Sequence, residues 1–335
     1  MRRQACTLRG SSRGLLCAVL IASVLGAAPA LEAQTGRVAK LGILSTSSTP
    51  MALPVHTGFI ARLSELGWVE GRTLALERRY VGPGGPLVQS ARELAALKLD
   101  VIYAVGALSI RAAKEEITAT PVVIFTVGDP SASGVIKNLA RPEGNMTGVG
   151  GFARDLNRMR AALLKESVPS MARLAMIGNP AQATLATNFR DLQGHLRASG
   201  IEARLYEVKD PGVLDSVFAA IARDKMQGLT YLPDPMIGNL RKRIVELAAR
   251  HKLPAIYEDR LFADEGRLIV YGPDYVAMSR LAAEYVDKIL RGAKPGDLPV
   301  VLPTRFVMVV NLKTARSLGI TIPQGVLLRA DKVIE

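Results

Sequence analysis

The chain is poor in the residues from which metal and redox sites are built. Among its 335 residues are two cysteines, Cys6 and Cys17, and three histidines, His56, His195 and His251. Both cysteines lie in an N-terminal segment that we expect to be removed. The mature chain would then have no disulfide, thiolate nucleophile or cysteine-bound metal. The histidines lack the H-x-x-x-H and H-E-x-x-H spacings of metal sites, so we interpret them as surface or helix-end residues and expect no metal.

The sequence also lacks the short motifs of nucleotide binding and acyl transfer. It has no G-x-x-x-x-G-K-[ST] phosphate loop, no G-x-G-x-x-G after a strand and no G-x-S-x-G elbow. We therefore expect no cofactor. Two carboxylates such as Asp129 and Asp234 could act as acid and base if the fold paired them. Nothing in the sequence requires such a pair, so we expect a protein that is not an enzyme.

Basic residues outnumber acidic ones throughout the chain. There are 43 Lys and Arg against 30 Asp and Glu, for a net charge of +13. Removal of residues 1–33 takes away four arginines and one glutamate, so the net charge falls by three. The remaining basic residues, such as Arg78, Arg158, Arg160 and Arg241, are scattered, whereas nucleic-acid binding needs a clustered patch. The pattern predicts a solvated basic surface and no nucleic-acid partner.

Residues 1–33 have the composition of a secretory signal. Arginines precede an apolar stretch, 14–25, and small residues follow it as far as Ala33. Cleavage after Ala30 or after Ala33 fits the pattern, and Ala33 is preferred. The apolar stretch is shorter than the roughly 20 residues of a membrane span. We therefore expect a periplasmic protein without stable membrane insertion after cleavage.

From residue 37 onward, short apolar runs alternate with amphipathic segments. This alternation predicts an α/β fold with parallel sheets and helices on both faces. The series restarts after the glycine-rich stretch 148–151, which predicts two doubly wound lobes with the chain passing between them more than once. We assign 37–149 and 274–303 to the N-terminal lobe, and 150–273 and 304–335 to the C-terminal lobe. The predicted strands are 38–44, 74–80, 99–105, 121–125, 174–178, 201–208, 226–232, 254–257, 268–271 and 306–310.

Polar and small residues follow several of these strands. In the stretch FTVGDP, 125–130, an apolar run ends in a hydroxyl, a glycine and a carboxylate. A turn would explain these residues, but recurrence at other strand ends favours a ligand loop, because open α/β sheets bind ligands outside the carboxyl ends of their strands. A turn is also an alternative for Asp234, and core packing for the tyrosines. The candidate ligand-binding residues are Ser45, Thr46, Gly106, Ala107, Ser109, Thr126, Gly128, Asp129, Asn179, Asp234, Tyr257, Tyr271 and Asp274.

Several stretches resemble one family when taken together and in order. They lie at 41–45, 66–72, 125–130, 138–148, 253–257, 271–274 and 303–315, and so span nearly the whole mature chain. In these stretches the chain resembles the tryptophan/tyrosine-type substrate-binding proteins of bacterial ABC transporters. The glycine- and proline-rich loop 81–86 departs from the family pattern.

The resemblance implies a type I periplasmic-binding fold, in which two flavodoxin-like lobes joined by hinge crossovers close on a small solute. It also implies delivery of that solute, an amino acid or aromatic compound, to the permease of an ABC importer. We expect a monomer. A ligand-sensing receptor for a signalling partner, or a secreted enzyme with a carboxylate pair in the cleft, are the alternatives.

Overall fold

The computed structural model describes residues 37–46, 54–82, 84–126, 130–131, 134–142, 144–151, 153–182, 184–258 and 266–335. The predicted signal segment and two candidate ligand residues, Gly128 and Asp129, lie outside these ranges. Ala39–Glu335 forms one compact unit, so the predicted lobe boundaries stay a prediction. Among the described helices, none is long and apolar enough to cross a membrane.

The first sheet has five parallel strands in the order β2-β1-β3-β4-β5. The order is that of a doubly wound sheet, and it confirms the predicted fold class. The strands are β1 (Ala39–Ser45), β2 (Leu74–Tyr80), β3 (Val101–Val105), β4 (Val122–Phe125) and β5 (Met146–Val149).

Helices cover both faces of this sheet because alternate residues of its strands face opposite sides. In β1, Leu41 and Ile43 pack on one face, and Leu44 packs on the other. The first face is covered by α1 (Pro54–Glu65) and by a helix near the C-terminus, α9 (Tyr275–Leu290). The second face is covered by α2 (Leu87–Ala96) and α3 (Ala107–Glu116).

The second sheet repeats this plan with strands that come later in the chain. Its order is β7-β6-β8, continued by β9-β10-β11-β12 through a bridge between Leu229 and Ala255. The strands are β6 (Arg173–Gly178), β7 (Glu202–Glu207), β8 (Gly228–Tyr231), β9 (Ile256–Tyr257), β10 (Ile269–Pro273), β11 (Phe306–Asn311) and β12 (Lys332–Ile334).

Seven described helices cover the second sheet, and α6 shows why they form. Its residues Leu214, Phe218 and Ile221 recur at helical spacing, and all three are buried. Each such side chain contributes about 1.5–3 kcal/mol by leaving water. One face carries α4 (Ala153–Ser167), α5 (Leu185–Ala198), α10 (Leu312–Ser317) and α11 (Gln324–Leu327), and the other carries α6 (Leu214–Arg223), α7 (Pro235–Asn239) and α8 (Arg241–Arg250).

One strand departs from the parallel arrangement that the sequence predicts. β11 runs antiparallel to β10, with Phe306 opposite Pro273. The reason is its route: Val301 lies beside β5 of the first sheet. The chain therefore enters β11 from the side on which β10 leaves the second sheet, and the two strands run in opposite directions.

The sequence predicts the other strands closely but misses β5. Gly148 within the strand, followed by Gly150 and Gly151, suggests a linker. Gly148 lies within β5 at φ +142°, and a side chain there would collide with the backbone of Ile124 in β4. Glycine is therefore needed for strand packing at this position. The short elements β12, α7 and α11 were also missed.

Candidate functional site

Small polar residues meet at the carboxyl edge of the first sheet. The Gly106 N–H donates to the Phe125 carbonyl at 2.9 Å, and the Thr126 N–H donates to the Val149 carbonyl at 3.1 Å. A side chain on Gly106 would press against the Thr46 hydroxyl. Ser45, Thr46 and Thr126 are all buried. The fold thus brings the ends of β1, β3, β4 and β5 together, as expected for the candidate residues on this side.

Ser109 lies in the first turn of α3, which begins at Ala107 after Gly106. Its side chain is fully buried, and its hydroxyl has no hydrogen-bond partner among the described residues. The N–H groups of a first helical turn have no partner within the helix, so this position can bind an anionic or carbonyl oxygen.

His56 lies at the same edge, in the first turn of α1. It is 3% exposed, and its ring meets Tyr80, the last residue of β2, edge to face at 5.7 Å. The sequence placed this histidine at a helix end or on the surface; it lies near a helix end but is buried. Burial lowers the pKa of His56 and keeps the ring neutral.

On the second sheet, Asn179 and Asp234 follow adjacent strands and contact one another. The Asn179 Nδ2 donates to Asp234 Oδ1 at 3.2 Å. The same oxygen accepts from the N–H groups of Met236 and Ile237 and so caps α7. Asp234 therefore has the structural role that the turn alternative predicts. A role in ligand binding stays a prediction for both residues.

Asp274 is also a helix cap. Asp274 accepts from the Ala277 N–H at the start of α9.

The two candidate tyrosines differ in exposure. Tyr257 is buried, with the Arg267 guanidinium 4.5 Å from its ring centre. Tyr271 is partly exposed and stacks on Phe306 at 6.1 Å. Burial raises the pKa of both tyrosines, so both stay neutral at physiological pH.

A buried ion pair lies beside these residues. Arg160 in α4 is 1% exposed, and its Nη1 donates to Glu258 Oε2 at 3.0 Å. The Arg160 Nη2 donates to Asn157 Oδ1 at 2.6 Å. The other Glu258 oxygen accepts from the Tyr275 hydroxyl. Burial raises the pKa of Glu258, and Arg160 and Tyr275 oppose that rise.

This cluster lies where the chain passes between the two sheets. α4 follows β5 of the first sheet but packs on β8, β9 and β10 of the second, whereas α9 follows β10 but packs on the first sheet. Gly272 has no room for a side chain beside the Glu258 carbonyl. Tyr275 also meets Phe125, the first residue of FTVGDP, at 6.3 Å. The strand end of the first sheet is thus connected to the buried charges of the second.

Asn157, Arg160 and Glu258 are not among the candidate residues that the sequence predicts. Arg160 was predicted to lie on a solvated basic surface, and that prediction was wrong. Glu258 does carry a signal, since it directly follows β9. Its partner lies 98 residues earlier in the chain, and no local pattern indicates that pairing. Among the described residues, no group of three His, Cys, Asp or Glu side chains is placed to hold a metal ion.

Comparisons with known proteins agree with this architecture. The family model described as ABC transporter substrate binding protein matches residues 40–334. A tyrosine-binding protein of Clostridioides difficile (strain R20291) is 24% identical over 83% of this chain and 80% of its own. A conserved domain protein of Vibrio cholerae has a TM-score of 0.81 at 24% identity, over 89% of this chain and all of that one. A Streptococcus pneumoniae ABC domain in complex with L-Trp scores 0.80 at 22% identity, over 88% and 99%.

Proposed function

The chain belongs to the ABC transporter substrate binding protein family, and we propose that it is a periplasmic receptor that captures an aromatic amino acid for import. Family members bind small solutes outside the cytoplasm and work with a permease. The periplasm as the compartment rests on the signal-like composition of residues 1–33. The amino-acid ligand rests on the two relatives described as binding tyrosine and L-Trp.

One structural observation carries this proposal. Tyr275 connects the carboxyl end of β4 in the first sheet to that of β9 in the second, since it meets Phe125 at 6.3 Å and donates to Glu258, and both strand ends carry buried polar groups. Ligands of open α/β sheets bind at such edges. The hydroxyls of Ser109 and Thr126 lie on one side, and the amide of Asn179 lies on the other.

We assign the ligand contacts to both edges. Ser109, with the helix start beside it, binds an oxygen of the solute, and Asp129 or Asp234 binds an ammonium group. Tyr271 is partly exposed and offers its ring for stacking on an aromatic solute. Ser45, Thr46, Gly106, Ala107, Thr126, Gly128, Tyr257 and Asp274 complete the proposed lining.

Closure follows from the crossovers. The lobes 37–149 with 274–303, and 150–273 with 304–335, would move as two bodies about the segments that join them. A solute that touches both lobes only when they are shut shifts the population toward the closed state. We propose that the closed monomer is the form that engages the permease.

The test is ligand binding by residues 34–335, unfolded and refolded to remove carried solute. Thermal unfolding is measured with aromatic, branched and polar amino acids, purines, sugars and aromatic acids. A solute at a hundredfold excess over its Kd stabilises the folded state by about 2.7 kcal/mol. We expect a selective rise of the melting temperature with L-tyrosine or L-tryptophan, and calorimetry then gives the Kd.

Thr126→Val serves as the site variant, because it removes one hydroxyl and keeps the side-chain shape. Thr321→Val is the matched control at an exposed position. We expect weaker binding in the first variant alone. If no solute raises the melting temperature, the proposed ligand is wrong. If both variants bind the solute equally well, the proposed site is wrong.

A further inference from the structure

Two buried donors beside the ion pair have no acceptor in the part of the chain that the structure describes. The Arg160 Nε and the Asn157 Nδ2 are both inaccessible to solvent, and neither has a hydrogen-bond partner among the described residues. Both residues are 1% exposed. Buried N–H groups are paired in the great majority of cases, and each unpaired one costs about 1–3 kcal/mol. The two donors belong to one network, since Arg160 Nη2 binds Asn157 Oδ1 at 2.6 Å.

The missing acceptor is best supplied by a carboxylate. A guanidinium and a neighbouring amide can together present several N–H groups to the two oxygens of a planar anion. The Glu258 carboxylate does not meet this need, because it binds the opposite end of the guanidinium, at Nη1, and Tyr275. A second carboxylate is therefore required on the Nε side.

Charge balance narrows the chemical class of the ligand further. Arg160 and Glu258 already neutralise one another, so a simple anion would leave one buried negative charge without a partner, at a large free-energy cost. A solute that also carries an ammonium group keeps the cluster neutral, because Glu258 can accept from it. Burial raises the pKa of Glu258, and a nearby cation would favour its ionised form.

We propose that Asn157, Arg160 and Glu258 form a zwitterion site, in which the first two bind the carboxylate of a free α-amino acid and Glu258 binds its ammonium. This inference rests on the proposed function, names residues that the proposed lining lacks, and assigns the ammonium to Glu258 instead of Asp129 or Asp234. The cluster lies at the crossovers between the two sheets, so separation of the sheets gives the solute access to it. The solute ammonium takes the place of the Tyr275 hydroxyl on Glu258.

The experiment compares ligands that lack one charge. The probes are L-tyrosine and L-tryptophan, their amines tyramine and tryptamine, and the acids 3-(4-hydroxyphenyl)propionate and indole-3-propionate. Calorimetry measures the Kd of each for the wild type, Glu258→Gln and Asn157→Leu. Exposed positions supply the controls Glu246→Gln and Asn239→Leu. Circular dichroism of each ligand-free variant confirms that it is folded.

We expect the wild type to bind the amino acids at least about tenfold more tightly than either analogue. Glu258→Gln should weaken amino-acid and amine binding about 10- to 100-fold, the range for a lost hydrogen bond to a charged group. It should strengthen binding of the acids, because their carboxylate then balances Arg160 and no second buried anion remains. Asn157→Leu should weaken binding of the amino acids and the acids, but not of the amines.

The outcomes separate the inference from the proposed function. If the wild type binds an amino acid and both site variants bind all probes as it does, the zwitterion site is wrong and the receptor function stands. Uniform weakening of all probes in both variants would also overturn it, because it indicates structural damage without charge recognition. No binding of either amino acid by the wild type would overturn the proposed function, and this inference with it.

Discussion

The carboxyl edges of the two sheets use different polar groups. On the first sheet the buried groups are hydroxyls, those of Ser45, Ser109 and Thr126, whereas on the second they are the charges of Arg160 and Glu258. A hydroxyl can exchange one partner for another at little cost, but a buried charge must keep a partner. The comparison therefore predicts that changes at the second edge affect folding as well as binding, and that changes at the first affect binding with little effect on folding.

The largest effect is expected from Arg160→Met. The substitution leaves Glu258 buried without its cation, and breaking such a pair costs about 3–5 kcal/mol. Urea unfolding of the ligand-free protein at neutral pH measures the loss. The double variant Arg160→Met/Glu258→Met should recover most of it, because no charge then remains to be compensated.

Arg158→Met is the matched control on the same helix. Arg158 pairs with Asp191 at the surface, with 39% of its side chain exposed, so solvent screens the pair and its loss should be much smaller. If Arg160→Met and Arg158→Met lower the free energy of unfolding equally, the buried pair contributes no more to stability than the surface pair. The predicted difference between the two edges would then be wrong.

A smaller loss of stability is expected at Asp234. Asp234→Ala removes the cap of α7 and the partner of Asn179, at a cost of about 1–2 kcal/mol. Asp234→Ser should lose only a few tenths, since serine caps helices almost as well as aspartate. Urea unfolding measures both. An equal loss in the two variants would mean that the charge, rather than the cap, stabilises this end of the second sheet.

These elements also show what the sequence can predict. Apolar runs and strand-end loops are local patterns, so they predict nearly all strands. They also predict that Thr46, Gly106 and Thr126 lie at one edge of a sheet. β5 was not predicted, because the glycine at position 148 is required by the close backbone of β4, and no local pattern shows that contact. The burial of Arg160 and Glu258 was not predicted for a related reason. It depends on the crossovers between the sheets and on the absence of a side chain at Gly272.

The neutrality of the first edge can be tested through pH. Burial lowers the pKa of His56 below 6.5, so the unfolded chain binds a proton more readily than the folded one. Stability from this group is complete above pH 6.5 and is lost as pH falls toward the lowered pKa, by at most about 1.4 kcal/mol per pH unit. His56→Phe should remove this slope from urea-unfolding data between pH 7.5 and 5.5. His195→Gln, at an exposed position, should keep it.

The smallest effect on stability, and the sharpest contrast with Arg160, is expected at Ser109. Its hydroxyl is buried without a partner among the described residues, so Ser109→Ala removes a desolvated group and no hydrogen bond. The free energy of unfolding of the ligand-free variant should lie within about 0.5 kcal/mol of the wild-type value, or slightly above it.

Binding by Ser109→Ala should weaken all the same, because this end of the first sheet then presents one polar group fewer to the solute. Ser199→Ala, at an exposed position, should change neither quantity. If Ser109→Ala destabilises the fold and leaves the Kd unchanged, the hydroxyl has a structural role. The expected contrast, in which the first edge serves binding more than folding, would then be wrong.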